Sequence, residues 1–146
     1  MTKIDISDKI DDKEVIKGIL FGSFDIWHAG YSLMCQDAKE ECDFLIVGLQ
    51  AENKKKTIVN TINERFLVLK SIRHIDEICI YSTEQELVNL LQFYKPNKRF
   101  LGSDYKCPIK MKQVTGIEYS GRIVYLNRNH GYSTTNIKQK IEALYR

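Results

Sequence analysis

The stretch 18-GILFGSFDIWHAGYSLM-34 decides how the chain is read. Gly18 to Phe21 has the apolar character of a short buried strand, and helical spacing resumes at Gly30 with Leu33 and Met34. Between them the run breaks at Gly22-Ser23-Phe24-Asp25 and passes through a Trp-His pair. Gly22 and Gly30 thus bracket a tight passage from strand to helix. Backbone amides at a helix start, aided by the helix dipole, favour phosphate oxygens, so this passage predicts an anion site with His28 beside it. A satisfied surface histidine is the plain alternative for His28, and Trp27 reads most simply as a packing residue.

The same alternation continues outward. Gly30 to Cys42 reads as a helix with Leu33, Met34, Ala38 and Cys42 at helical spacing, and "DFLIVGL" from Asp43 as a strand covered on both faces. A lysine-rich loop, "AENKKKTIVN", precedes Thr61 and Glu64, whose spacing is that of a capping box before Phe66, Leu69 and Ile72. "EICIY" is a third strand; Thr83 and Glu86 open a helix from Glu84 to about Tyr94, ended by Lys95-Pro96. "RFLG" and "GRIVYL" read as the fourth and fifth strands, with irregular chain from Ser103 to Ser120 between them, and Ser133 or Thr134 caps a last helix carrying Ile137, Ile141 and Leu144. Strands alternating with helices predict a single α/β domain built on a parallel sheet, with right-handed crossovers and helices on both faces. Such sheets bind ligands beyond the C-terminal ends of their strands. Gly22 to Tyr31, Lys54 to Lys56 and Arg128 to Thr135 all follow strands, so the pattern places them along one edge.

Bulk properties narrow the function. The 146 residues, 43% hydrophobic and 28% charged, suit one globular domain. A net charge of +3, scattered along the chain, carries no nucleic-acid footprint and leaves a polyanionic small molecule as the fitting partner. No window has the length of a membrane span, and "MTKIDISDKIDDKEVIK" lacks the apolar centre of a secretion signal, which predicts a cytoplasmic protein without a membrane partner. Cys35, Cys42, Cys79 and Cys107 form no C-x-x-C pair and read as structural thiols, with no metal site among them.

Two motifs carry a family resemblance. "FGSFDIWHAGYSLMCQDAKEECDFLIVGL" resembles the nucleotidyltransferase signature G-[ST]-F-D-x-x-H-x-G-H, and "RNHGYSTT", Arg128 to Thr135, is similar to the R-T-x-G-I-S-T-T motif of the cytidylyltransferase branch, best known in glycerol-3-phosphate cytidylyltransferases. "NERFLVLKSIRHIDEICIY" and "RFLGSDYK" look like the middle of the small bacterial enzymes, so the likeness covers residues 18–146 and leaves 1–17 as an N-terminal extension. It implies a compact Rossmann-like domain, assembled as a homodimer, that transfers CMP from CTP to a small phosphorylated acceptor and releases pyrophosphate, with Mg²⁺ accompanying the triphosphate. ATP with another phosphorylated acceptor is the alternative, because adenylyltransferases share the first motif.

Carried over position by position, the resemblance makes His28, Lys54, Lys56 and Arg128 catalytic. Gly22, Ser23, Phe24, Asp25, Gly30, Tyr31, Arg65, Ser133 and Thr134 become nucleotide-binding, and Arg73 and Asp104 acceptor-binding. Read without it, the lysines are a solvated charge run, the arginines surface ion pairs, and Ser133 and Thr134 a helix cap.

The chain departs from the pattern most seriously at Tyr31, where the family has its second histidine. A tyrosine hydroxyl donates one hydrogen bond and stays neutral at pH 7. Three outcomes follow from this departure: turnover carried by Tyr31 and the surrounding cations, a replacement of the missing imidazole by His130 from the second motif, or an impaired relative that only binds nucleotide. Asn129 and Tyr132 replace the threonine and isoleucine of the second motif, and Ser103 stands where glycerol-3-phosphate enzymes carry an acidic residue, which opens both base and acceptor choice.

Overall fold

The computed structural model describes residues 14–146. Five strands, β1 (Lys17–Gly22), β2 (Phe44–Gln50), β3 (Glu77–Tyr81), β4 (Lys98–Gly102) and β5 (Arg122–Leu126), form one sheet in the order β3-β2-β1-β4-β5. Every pairing is parallel, with Ile19 opposite Ile46 and Phe100 opposite Val124. The helices are α1 (Ala29–Glu40), α2 (Ile62–Lys70), α3 (Glu84–Tyr94), the single turn α4 (Pro108–Met111) and α5 (Thr134–Leu144). This is the predicted parallel α/β domain, and the α3 boundaries fall where the caps put them. Of the predicted extension 1–17, residues 1–13 lie outside the described residues, while Lys17 already belongs to β1.

Alternate residues of the central strands feed two apolar layers, as the two-residue strand period requires. Leu20, Leu45, Val47, Leu49 and Phe100 pack with Cys35 and Ala38 of α1 and Leu69 of α2. Ile19, Ile46 and Tyr81 pack with Leu87 and Leu91 of α3 on the other face. The helix starts are fixed locally. Thr61 accepts from the Glu64 amide while Glu64 reaches back to the Thr61 amide, completing the capping box. Thr83 and Ser133 cap α3 and α5 in the same way from one side chain each.

The chain from Ser103 to Ser120 is organised by a residue the sequence reading passed over. Arg99 of β4 is 4% exposed and lies against the Phe21 ring, 5.0 Å from its centroid. Its guanidinium donates to the Thr115 carbonyl at 2.5 Å and to Ser120 Oγ at 3.1 Å, and Ser120 Oγ donates on to the Gly116 carbonyl. Burial lowers its pKa to about 10. At Gly121, φ is +66° and a Cβ would stand 2.4 Å from the Asn97 carbonyl oxygen, so only glycine fits this entry to β5.

Candidate active site

The passage from β1 to α1 is strained and packed rather than open. Phe24 and Ile26 both adopt φ near +48°, uncommon for residues with a Cβ. This folds the Phe24 ring back over Gly22, where a Cβ would lie 3.1 Å from it, and buries Phe24 in the core. The resemblance places Phe24 in the turn that lies along the nucleotide; its side chain packs with Trp27 and Tyr31, at centroid distances of 6.1 and 5.2 Å.

Asp25 and Arg65 hold the lysine-rich loop. Asp25 is 6% exposed and accepts from the amides of Val59 (2.7 Å) and Asn60 (2.9 Å), with Lys138 of α5 at 4.0 Å. Arg65, 3% exposed, donates to the carbonyls of Asn60, Ser23, Gln50 and Ala51 at 2.6 to 3.1 Å. Burial, opposed by the Asp25 charge, lowers the Arg65 pKa. Four of its five N–H donors are therefore taken up by backbone, and they join the ends of β1 and β2 to the loop. Ser23 Oγ completes the join by donating to Gln50 Oε1 at 3.1 Å. A cavity of about 420 Å³ opens beside this clamp, lined by Glu52, Asn53, Lys56, Thr61 and Arg65 among others. Lys56 lines this open cavity, and both Lys54 and Lys56 are exposed on the loop.

His28 is the N-cap of α1. Its Nδ1 accepts from the Gly30 amide at 3.0 Å, which leaves the ring proton on Nε2. Burial first, then the nearby charges of His130 and Arg128, lower its pKa, so it is a neutral donor at pH 7. The Tyr31 ring stacks on it at 3.9 Å between centroids.

Tyr31 itself does not donate to the site. Thr134 Oγ1 donates to the Asp25 carbonyl at 2.8 Å. A hydroxyl carries one proton, so in the 3.2 Å contact between Tyr31 Oη and Thr134 Oγ1 the tyrosine must be the donor. Tyr31 and Thr134, both expected from the resemblance to bind nucleotide, tie α1 to α5 and to the turn at Asp25. Ser133 accepts from the Asn136 amide as a cap and keeps its own proton free.

Arg128 follows β5 and crosses the end of β4. Its amide donates to Ser103 Oγ at 3.2 Å and its guanidinium lies 3.6 Å from Asp104, which also pairs with Lys110 at 3.0 Å. Burial alone would raise the Asp104 carboxyl, but the Lys110 hydrogen bond and the Arg128 charge outweigh it and hold the pKa below the ordinary value. A Cβ on Gly102 would stand 2.2 Å from Arg128 Cδ, so the crossing needs glycine there.

The residues assigned by sequence gather at the C-terminal edge of the sheet with one exception. Arg73 lies between the end of α2 and the start of β3, at the opposite edge, where its Nε contacts His74. Within this chain the parallel topology places it apart from the other residues that the resemblance marked. Lys138 was missed, although a lysine four residues after Thr134 shares its helix face; it donates to the Thr57 carbonyl at 3.5 Å besides approaching Asp25. Among the described residues no helix is long and apolar enough to cross a membrane.

This geometry agrees with what the chain is similar to. The family model described as cytidylyltransferase-like matches residues 19–140. The chain belongs to that family. The bifunctional protein HldE of Helicobacter hepaticus is 31% identical over 127 residues, covering 83% of this chain and 25% of that protein. The cytidylyltransferase-like chain thus spans about a quarter of the length of that relative. The crystal structure of a lipopolysaccharide core biosynthesis protein from Thermoplasma volcanium superposes with a TM-score of 0.63 at 22% identity, covering 82% of this chain and all of that one. A Vibrio parahaemolyticus structure described as a nicotinate-nucleotide adenylyltransferase gives a TM-score of 0.61 at 12% identity, covering 89% of both. The family and the fold are therefore established for this chain.

Proposed function

We propose that the protein transfers a nucleotidyl group from a nucleoside triphosphate to a small phosphorylated sugar or alcohol. An oxygen of the acceptor phosphate attacks the α-phosphorus in line, the bond to the bridging α–β oxygen breaks with its electron pair, and pyrophosphate leaves. The acceptor phosphate is ionised at pH 7, so no general base is needed and the protein supplies position and charge stabilisation. The observation that carries this reading is His28, fixed as a neutral Nε2–H donor at the N-terminus of α1. Arg128 and the lysines of the clamped loop add positive charge along the same edge.

ATP is the donor this reading puts first. Asn129 and Tyr132 depart from the motif that pointed to cytidine, and a structural neighbour is described as an adenylyltransferase. CTP is the second reading, supported by the remaining likeness of the Arg128 to Thr135 motif to the cytidylyltransferase branch. The likeness to a family whose members act on small phosphorylated acceptors supports a phosphorylated sugar or alcohol in that role.

Among the described residues no three His, Cys, Asp or Glu side chains gather as ligands for an ion, and both Asp25 oxygens accept from backbone amides. Mg²⁺ fits here only as a companion of the triphosphate, as is usual for that ion. Bound there it would neutralise charge developing on the leaving group. Pyrophosphate release from ATP and from CTP, each with a panel of sugar and alcohol phosphates and Mg²⁺, tests the reading. Acceptor-dependent release that His28→Ala lowers at least a hundredfold is expected; release that His28→Ala leaves unchanged would overturn it.

A further inference from the structure

The loop after β5 places a second imidazole against the first. Gly131, at φ +77°, turns the chain back, and its carbonyl accepts from Asn136 Nδ2 in the first turn of α5. His130 is thereby laid over the start of α1. A Cβ on Gly30 would meet His130 Cε1 and His28 Cε1, each at 2.8 Å, so the two rings converge on the one residue of α1 that has no side chain.

The rings are prepared alike. His130 Nδ1 accepts from the Tyr132 amide at 3.0 Å, just as His28 Nδ1 accepts from the Gly30 amide. Each backbone donor fixes its ring as the Nε2–H tautomer. The Tyr132 ring, at 5.3 Å and nearly parallel, supports His130 from outside. Inside, His130 Nε2 is buried and has no hydrogen-bond partner in the chain. A buried donor without an acceptor is costly, and an anion at the α1 N-terminus would relieve it.

We infer that His130 supplies the second imidazole of the phosphate site, donating from Nε2 to a non-bridging phosphate oxygen of the nucleotide that His28 also faces. The inference rests on the function proposed above and names a residue within it. It joins two departures from the family pattern, at Tyr31 and Tyr132, with a histidine at a variable position of the second motif. Tyr31 has its proton committed to Thr134, so position 31 contributes no donor; His130 restores the donor from across the site; and Tyr132 fixes its tautomer through the backbone and its plane through stacking.

The chain has only three histidines, His28, His74 and His130, which makes the test direct. In protein labelled with ¹⁵N at histidine, the Nε2 resonances are followed while Mg²⁺-ATP, and separately Mg²⁺-CTP, is added without acceptor, with His130→Ala and His28→Ala for assignment. Both His28 and His130 should report the Nε2–H tautomer and shift on nucleotide addition, while His74, at the far edge of the sheet, stays fixed. A His28 shift without a His130 shift would overturn the inference and leave the function standing; no shift with either nucleotide would overturn both. In turnover, His130→Ala should lower kcat about 10²-fold, the usual loss for one preorganised donor, with KM for nucleotide changed far less. Tyr31→His in the His130→Ala background should recover part of it. A kcat for His130→Ala within twofold of native would overturn the inference.

Discussion

Replacing Arg65 with methionine separates its two possible duties, clamping backbone and meeting nucleotide. The stem volume is nearly kept, but four carbonyls, of Ser23, Gln50, Ala51 and Asn60, lose their donor at once. At about 1 kcal/mol net for each hydrogen bond, the loss approaches 4 kcal/mol. Removing a charge that is 3% exposed returns part of this, leaving a destabilisation of about 2–4 kcal/mol. That is a large share of the 5–15 kcal/mol typical of a folded domain. Urea unfolding followed by circular dichroism measures it. Arg65→Lys should recover little, because an ammonium has three donors and no fork to span four carbonyls. A loss below about 1 kcal/mol with an unchanged urea dependence, accompanied by a large rise in KM for nucleotide, would refute the clamp and return Arg65 to the triphosphate.

Tyr31→Phe removes only the bond to Thr134 and should cost about 1 kcal/mol of stability with kcat within a few-fold of native; a hundredfold loss in kcat would show that the hydroxyl acts on the substrate. Gly30→Ala places a methyl 2.8 Å from both imidazoles and should depress turnover while the thermal midpoint moves little, a change that differential scanning fluorimetry beside the turnover assay would reveal. Because the His28 pKa is lowered in the folded protein, the unfolded chain binds its proton first as pH falls below 6.5, so His28 destabilises the fold below that pH and has no such effect above it. His28→Asn, which keeps an N-cap acceptor, should therefore lose less stability than native between pH 7.5 and 5.5 in denaturant titrations; an equal loss would contradict the shift. Gly121→Ala should destabilise by more than about 1–3 kcal/mol, since its Cβ would meet backbone at φ +66°, and an unfolding midpoint equal to native would argue against that turn.

The strands and long helices were legible because they follow from period and capping. "EICIY" and the Thr83 cap place β3 and α3 with no tertiary information, and a parallel sheet then collects the post-strand loops at one edge. The chain from Ser103 to Ser120 was not legible, since Arg99, a charge inside a strand, organises it across 16 to 21 residues through contacts no local pattern encodes. At the site, His28 was readable as a helix-start residue beside an anion. The motif likeness alone could not tell substrate contacts from scaffold. Phe24, Tyr31, Arg65 and Thr134 sit at signature positions, yet their side chains are engaged with the protein, and only donor counting at Thr134 and Arg65 reveals it. Arg73 shows the converse, a position whose place at the opposite edge of the sheet is set by chain topology and not by the motif.

Phosphorus NMR of the protein with Mg²⁺-ATP, or Mg²⁺-CTP, and a mixture of sugar phosphates tests the central claim most directly. Pyrophosphate and a new diphosphate diester should appear together and in equal amounts, and both should be lost in His28→Ala. Nucleoside monophosphate with pyrophosphate but no diester, or nucleoside diphosphate in place of pyrophosphate, would contradict nucleotidyl transfer as the reaction of this chain.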